Sequence, residues 1–221
     1  MAVIHRTVLK PSKLELLTTW LPSRPWYSGG AGEPELVKAG GFRLDDPQGE
    51  VGIEFMVVTD ASDTQPITYL VPLTYRGAPL DGAEHALIGT MEHGVLGRRW
   101  AYDGCHDPVL VAQLSALIEG RVQAQDQNTS DTPDREVIRS CTGGGLASTD
   151  FATAATDGRE CTELTAPHGA ALSLRRVLRP APDNEPVPPP EATGHVAGSW
   201  HMPDGTRARG LFVVLRSGPR V

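Results

Sequence analysis

Cys105, His106 and Asp107 stand in a row, a thiol, an imidazole and a carboxylate. Nucleophilic catalysis needs such groups within hydrogen-bond reach of one another, whereas adjacent side chains point apart. Asp107 also precedes Pro108 and an apolar-periodic run, the place of a helix N-cap. His85 and His93 flank Glu92 without the i, i+4 pairing of a zinc-binding helix, so no metal site is assigned. In "SCTGGGLAS" no lysine follows the glycines, which rules out a Walker loop, and the spacing is not that of a dinucleotide loop. Asp150–Phe151 lacks the glycine of a D-F-G element, and no acid follows His168–Gly169. What remains is a weak anion-binding set, Arg175 and Arg176 with the turn Gly143, Gly144 and Gly145. The arginine pair equally suits the solvated face of a strand. No catalytic residue and no cofactor are assigned.

The elements that would carry these groups belong to a chain of 221 residues with net charge −7. An acidic chain without a basic run is a poor partner for nucleic acid or an anionic membrane. No run approaches the ~18 apolar residues of a membrane span. The opening "MAVIHRTVLK" reads as a strand, not a signal peptide, and three cysteines without C-x-x-C spacing fit reduced thiols in the cytoplasm. A Cys141–Cys161 disulfide stays open as an alternative.

Ser12 and Glu15 form a capping box, which predicts a helix over about 13–21. "GGFRLDD" is a short strand. "GEVGIEFMVVTD" puts Val51, Ile53, Phe55 and Val57 on one face, and "ITYLVPLTY" does the same with Tyr69, Val71, Leu73 and Tyr75. Pro72 cannot donate to a ladder, so its strand is an edge or is bulged there. "GVLGRRWAYDG" is a further strand, and a second helix should run from Pro108 to a stop at Gly120. Residues 121–135 are polar and unpatterned, a linker or long loop. Beyond them come "EVIRSC", "AALSLRRVL" and a hairpin turning at Pro203, Asp204 and Gly205, with a proline-rich loop before it.

Trp20, Trp26 and Tyr27 crowd one helix exit in a chain with only 4 Trp, 4 Tyr and 4 Phe. That stretch, "LLTTWLPSRPWYSGG", resembles the entry of the maltokinase N-terminal cap, where a helix ending in W-L meets an R-W-aromatic-G turn. "YLVPLTYR" and "YDGCHDPVLVAQLSALI" resemble later parts of the same cap, in order. The resemblance covers about residues 1–120 and implies an α+β fold, a curved antiparallel sheet packed with two helices, in which the three aromatics lock the helix exit. "LSLRRVLRPAPDNEP" and "VAGSWHMPDGTRARGLFVVLR" are similar to an N-lobe strand and hairpin of the kinases that carry this cap. They imply a small antiparallel β domain over 136–221, a degenerate kinase N-lobe, with Ser173 where the nucleotide-binding lysine would stand. The H-G-D-x-H type catalytic loop is absent from the sequence. The resemblance therefore implies a non-catalytic accessory protein of sugar or glycogen metabolism. Its partner would be another protein, a sugar kinase or an enzyme of glycogen or trehalose metabolism. The alternative is a binder of a nucleotide or sugar phosphate in an N-lobe-like cleft.

Overall fold

A computed structural model describes residues 9–30, 32–142, 151, 155–166 and 169–218. The fold is mostly antiparallel sheet with two short helices. Strand β1 (Leu9–Lys10) leads into α1 (Lys13–Trp20), then β2 (Leu36–Leu44), β3 (Gly52–Asp60), β4 (Ile67–Arg76), β5 (Leu87–His93) and β6 (Gly97–Asp103). Helix α2 (Pro108–Glu119) follows, then β7 (Ile138–Cys141), β8 (Ala155–Asp157), β9 (Cys161–Thr165), β10 (Ala171–Arg175), β11 (Val177–Leu178), β12 (Ala192–His201) and β13 (Arg207–Arg216). Among these residues no helix is long and apolar enough to cross a membrane. The expected strand at the N-terminus lies outside the described residues except for β1.

The helix boundaries follow from side-chain chemistry. Ser12 accepts from the Glu15 amide and Glu15 accepts from the Ser12 amide, the reciprocal capping box. Asp107 caps α2 by accepting from Val109 N, Pro108 sits where its missing N–H costs nothing, and Gly120 ends the helix at φ 78°.

Neighbouring strands run in the order β1-β5-β6-β4-β3-β2-β12-β13-β10-β9-β8, with β11 on β4 and β7 on β12. Strands β10 and β11 are one stretch of chain broken at Arg176. Its first part pairs with β13, Leu172 opposite Leu215. Its second part pairs with β4, Val177 opposite Tyr69, and Leu70 N donates to Arg176 O at 2.9 Å. The path β4-β3-β2-β12-β13-β10/β11 therefore returns to β4, a closed ring of strands.

Alternation along the ring sorts apolar side chains into two cores. Val51, Ile53, Phe55 and Val57 join Phe42, Leu172, Leu174, Trp200, Phe212 and the α2 residues Leu110, Leu114, Leu117 and Ile118 in the larger one. Phe42 and Phe55 face each other across β2 and β3 with rings 4.5 Å apart. The opposite faces of β3 and β4, through Met56, Val58, Tyr69, Val71 and Leu73, pack against Leu17, Trp20, Leu21 and Trp26. The same face holds Glu54, buried in β3, which accepts from the Lys13 ammonium and, at 2.9 Å, from the Tyr75 hydroxyl.

Three expectations meet a different arrangement. Strands β10–β13 do not stand apart as a small sheet, because they complete the ring begun by β2–β4 and share its core. The stretch 121–135 is not a free linker: Gln125 and Arg43 exchange backbone hydrogen bonds of 2.9 Å, and Ala124 is buried. Pro72 lies in a strand flanked on both sides, yet it falls in the gap between the β6 ladder, which starts at Leu73, and the β11 ladder, which ends at Tyr69. Locally it is at an edge, as its missing N–H requires. Strands β5, β8 and β9 had no expectation.

Candidate functional site

The aromatic cluster is built where α1 ends. The Pro22 turn carries the chain over the outer face of β3 and β4, and Trp20 and Trp26 meet edge to face at 5.7 Å. Trp26 lies 5.9 Å from Tyr69, and Tyr27 stacks on Tyr69 at 5.7 Å. The Tyr27 hydroxyl donates to Asp60 at 2.8 Å, whose other oxygen accepts from the Glu35 and Ser62 amides at 3.0 Å each. Burial opposes the Asp60 charge, but these donors outweigh it and hold the carboxyl below its ordinary range.

Arg176 enters this cluster from the other half of the chain. Its guanidinium lies 4.9 Å above the Trp26 ring, with no exposed surface. Nη2 donates to Asp103 at 2.5 Å and Nε to Thr162 at 2.6 Å, and Thr162 donates onward to Asp157 at 2.5 Å. Burial disfavours the cation, but Asp103 beside it more than compensates and raises its pKa further. A second fork lies nearby: Arg76 donates twice to Asp107, 2.7 Å each. Asp107 is thus a helix cap and an ion-pair partner together, while the Cys105 thiol is buried and pushed up by that burial. The thiol–imidazole–carboxylate row forms no catalytic dyad; His106 instead meets His85, ring nitrogens 3.1 Å apart.

Of the expected anion-binding set only Arg175 and Arg176 are among the described residues, and these two point apart. Gly143, Gly144 and Gly145 lie outside the described residues, as do Asp150 and His168. Arg176 is sealed behind Trp26 with its charge already matched, so it is not on a solvated face and a ligand arriving from solvent does not reach it. The reason is alternation: consecutive residues point to opposite faces, and Arg176 points inward. Arg175 points outward into a groove of about 570 Å³ that it shares with Arg179, Val177 and the proline-rich loop. Ser173 is buried in mid-strand between Glu163 of β9 and Val214 of β13.

Reading the sequence missed the partners of Arg176, namely Asp103, Thr162 and Asp157, which carry no local signal. It also missed a cleft of about 350 Å³ between β2 and the start of β13. Gly40–Gly41 inside an apolar strand was an available sign of it, since interior glycines mark a close backbone approach. Added to Gly40, a Cβ would come within 3.2 Å of Ser199 O. None of the three cysteines is in a disulfide, and no group of three or more His, Cys, Asp or Glu among the described residues is placed to hold a metal ion.

The aromatic cluster, its Asp60 latch, the Pro72 strand and the Asp103–Asp107 corner all fall inside one stretch with a recognisable ancestry. Residues 20–107 match the family model of the maltokinase N-terminal cap domain.

Proposed function

We propose that this chain is a non-catalytic accessory protein of carbohydrate metabolism that works through contacts with another protein. The cap match supports the metabolic setting. The observation that carries the non-catalytic reading is the state of the β10–β11 stretch. Phosphoryl transfer rests on cations and metal-holding carboxylates aimed at the nucleotide phosphates. Here the strand that resembles the nucleotide-binding strand is a stave of the ring: Ser173 is covered, and Arg176 is paired with Asp103. The partner is a sugar kinase or an enzyme of glycogen or trehalose metabolism. The test is coupled ATP consumption with magnesium and a sugar panel, run beside affinity capture from native lysate. No turnover and stoichiometric recovery of such an enzyme are expected. Sugar-dependent turnover that survives repurification refutes the reading.

A second reading is favoured by the groove bearing Arg175 and Arg179. Arg179 is engaged by Glu160 at 2.6 Å, and Asp183 and Glu185 also line the groove, so an anionic ligand such as a nucleotide or sugar phosphate would rest on Arg175. Calorimetry with ADP and glucose 6-phosphate separates the two: saturable binding lost in Arg175→Ala supports the small-molecule reading.

A further inference from the structure

Strands β5 and β6 pair with Leu87 opposite Tyr102, so the turn that leads into β5 and the turn that leaves β6 lie side by side at one end of the hairpin. The first turn, Glu84–Ala86, carries His85, and the second, Gly104–His106, carries His106. Each turn is pinned by buried residues. Ala83, Ala86 and Tyr102 form a small cluster at the first, where Leu80 N also donates to the Tyr102 hydroxyl at 2.9 Å. At the second, Cys105 is buried, its amide donates to Asp103 at 3.2 Å, and Asp107 fixes the chain as the cap of α2. Two imidazoles that stand 21 residues apart in sequence are thereby held together. His93, which the sequence sets near His85, is at the far end of β5.

His85 Nε2 and His106 Nδ1 are 3.1 Å apart, with the ring planes perpendicular. Two imidazole nitrogens bound at ~2.0–2.1 Å to one tetrahedral ion stand about 3.3–3.4 Å apart, so the pair is within about 0.3 Å of chelating distance. Without an ion, one of the two nitrogens carries the proton of an N–H···N bond. Moving that proton to the other nitrogen of its own ring leaves both facing nitrogens as lone pairs, with no proton gained or lost. His85 is exposed and His106 half-buried, so an ion reaches the pair from solvent. Burial, with His85 and Arg176 nearby, holds His106 below its ordinary range against the pull of Asp103 and Asp157, which keeps its ring neutral near pH 7 and able to ligate. Two carboxylates against one guanidinium act on His106, and Glu84 adjoins His85, surroundings that suit a guest of positive charge.

Ligand chemistry narrows the ion. Imidazole nitrogen suits Zn²⁺, Ni²⁺ and Cu²⁺, whereas Mg²⁺ and Ca²⁺ demand sets of oxygen ligands. We propose that His85 and His106 form a two-histidine clamp for a divalent transition-metal ion, bound through His85 Nε2 and His106 Nδ1 with water in the remaining positions. The ion ties the turn before β5 to the turn before α2. Two protein ligands make an exchangeable site, since structural zinc is almost always held by four. The clamp stands whether or not the chain is an accessory protein, because it rests on these two turns alone.

Calorimetry and melting curves on the full chain without an affinity tag, stripped of metal by a chelator and dialysed, test it with CuCl₂, NiCl₂ and ZnCl₂, and with MgCl₂ and CaCl₂ as controls. One equivalent is expected to bind with Kd of about 100 μM or tighter, Cu²⁺ most tightly, and neither control should bind. The bound metal should raise the melting midpoint. His85→Gln and His106→Gln should each weaken binding about tenfold or more, the least that even the supporting groups of a metal ligand are typically worth. His201→Gln, at the end of β12, should leave it unchanged. Should His106→Gln disturb its turn, His85→Gln, at an exposed position, still decides. Binding of none of the three transition metals, equal binding of Mg²⁺ or Ca²⁺, or binding indifferent to both His85→Gln and His106→Gln overturns the proposal.

Discussion

Replacing Asp103 with alanine isolates the contact that joins the two halves of the ring. Arg176 has no exposed surface and Asp103 almost none, so the variant leaves a cation in the core without its counter-charge. Removing one partner of a buried pair typically costs about 3–5 kcal/mol. Arg176 keeps its bond to Thr162 at 2.6 Å and the face of Trp26 at 4.9 Å, which favours the lower end, near ~3 kcal/mol. The Cys105 amide also loses its 3.2 Å acceptor, adding about 1 kcal/mol. For a domain of this size each kcal/mol lowers the melting midpoint by roughly 2–4 °C, so a fall of roughly 8–16 °C is expected by calorimetry. The double variant Asp103→Leu, Arg176→Met removes the orphaned charge together with its cause, and replacing a buried pair by apolar residues is often neutral. It should recover all but the ~1 kcal/mol of the Cys105 amide. A loss below about 2 °C in Asp103→Ala, or a double variant as unstable as the single one, would refute the claim that this pair fastens the halves.

Trp20→Ala should cost about 3–5 kcal/mol, read as a shift in denaturant midpoint, because Trp20 is 7% exposed and packs edge to face on Trp26. Gly41→Ala should abolish soluble expression or lower the melting midpoint by at least about 6 °C, since Gly41 sits at φ 130° and a Cβ there would fall 2.2 Å from Phe55 O. Glu54 titrates below its ordinary 4.5, because Lys13, Lys38 and Tyr75 outweigh its burial. A depressed folded pKa means the folded state binds fewer protons, so the stabilisation is complete above about pH 4.5 and is lost as pH falls through the folded value. Glu54→Gln should flatten that acid limb in melts taken from pH 6 down to pH 3. Ellman titration should leave Cys105 unreacted in the native protein and find all three thiols in guanidinium, given its burial and raised pKa.

Local chemistry was legible wherever the signal is contained within a few residues. Ser12 with Glu15, and Asp107 with Pro108 and Gly120, announce both helices because caps satisfy backbone groups next to them in sequence. The inward set of β3 and the outward set of β4 followed from period-two alternation, and they sort into the two observed cores. Ring closure was not legible. It depends on β11 finding β4 about a hundred residues back, and two residues of ladder leave no pattern. Strands β8 and β9 are polar on their outer faces and short, so alternation over them is indistinct. Arg175 and Arg176 are chemically identical, and only their opposite directions along the strand separate a groove wall from a buried ion pair. That distinction follows from alternation, but which of the two points inward depends on register.

The broken strand that closes the ring also makes each half the other's missing wall. A cut between Gln127 and Pro133, in the loop beside β2, would leave one piece with β1–β6 and both helices and another with β7–β13. The first would expose the edges of β2 and β4, the second those of β12 and β11, and each would bare half of an apolar core. Unpaired edges beside apolar surface are where chains aggregate. The same complementarity suits the pair to reassembly: made together, the two pieces should find each other and restore the melting transition of the intact chain, the behaviour of a split protein. Made singly, each should be insoluble.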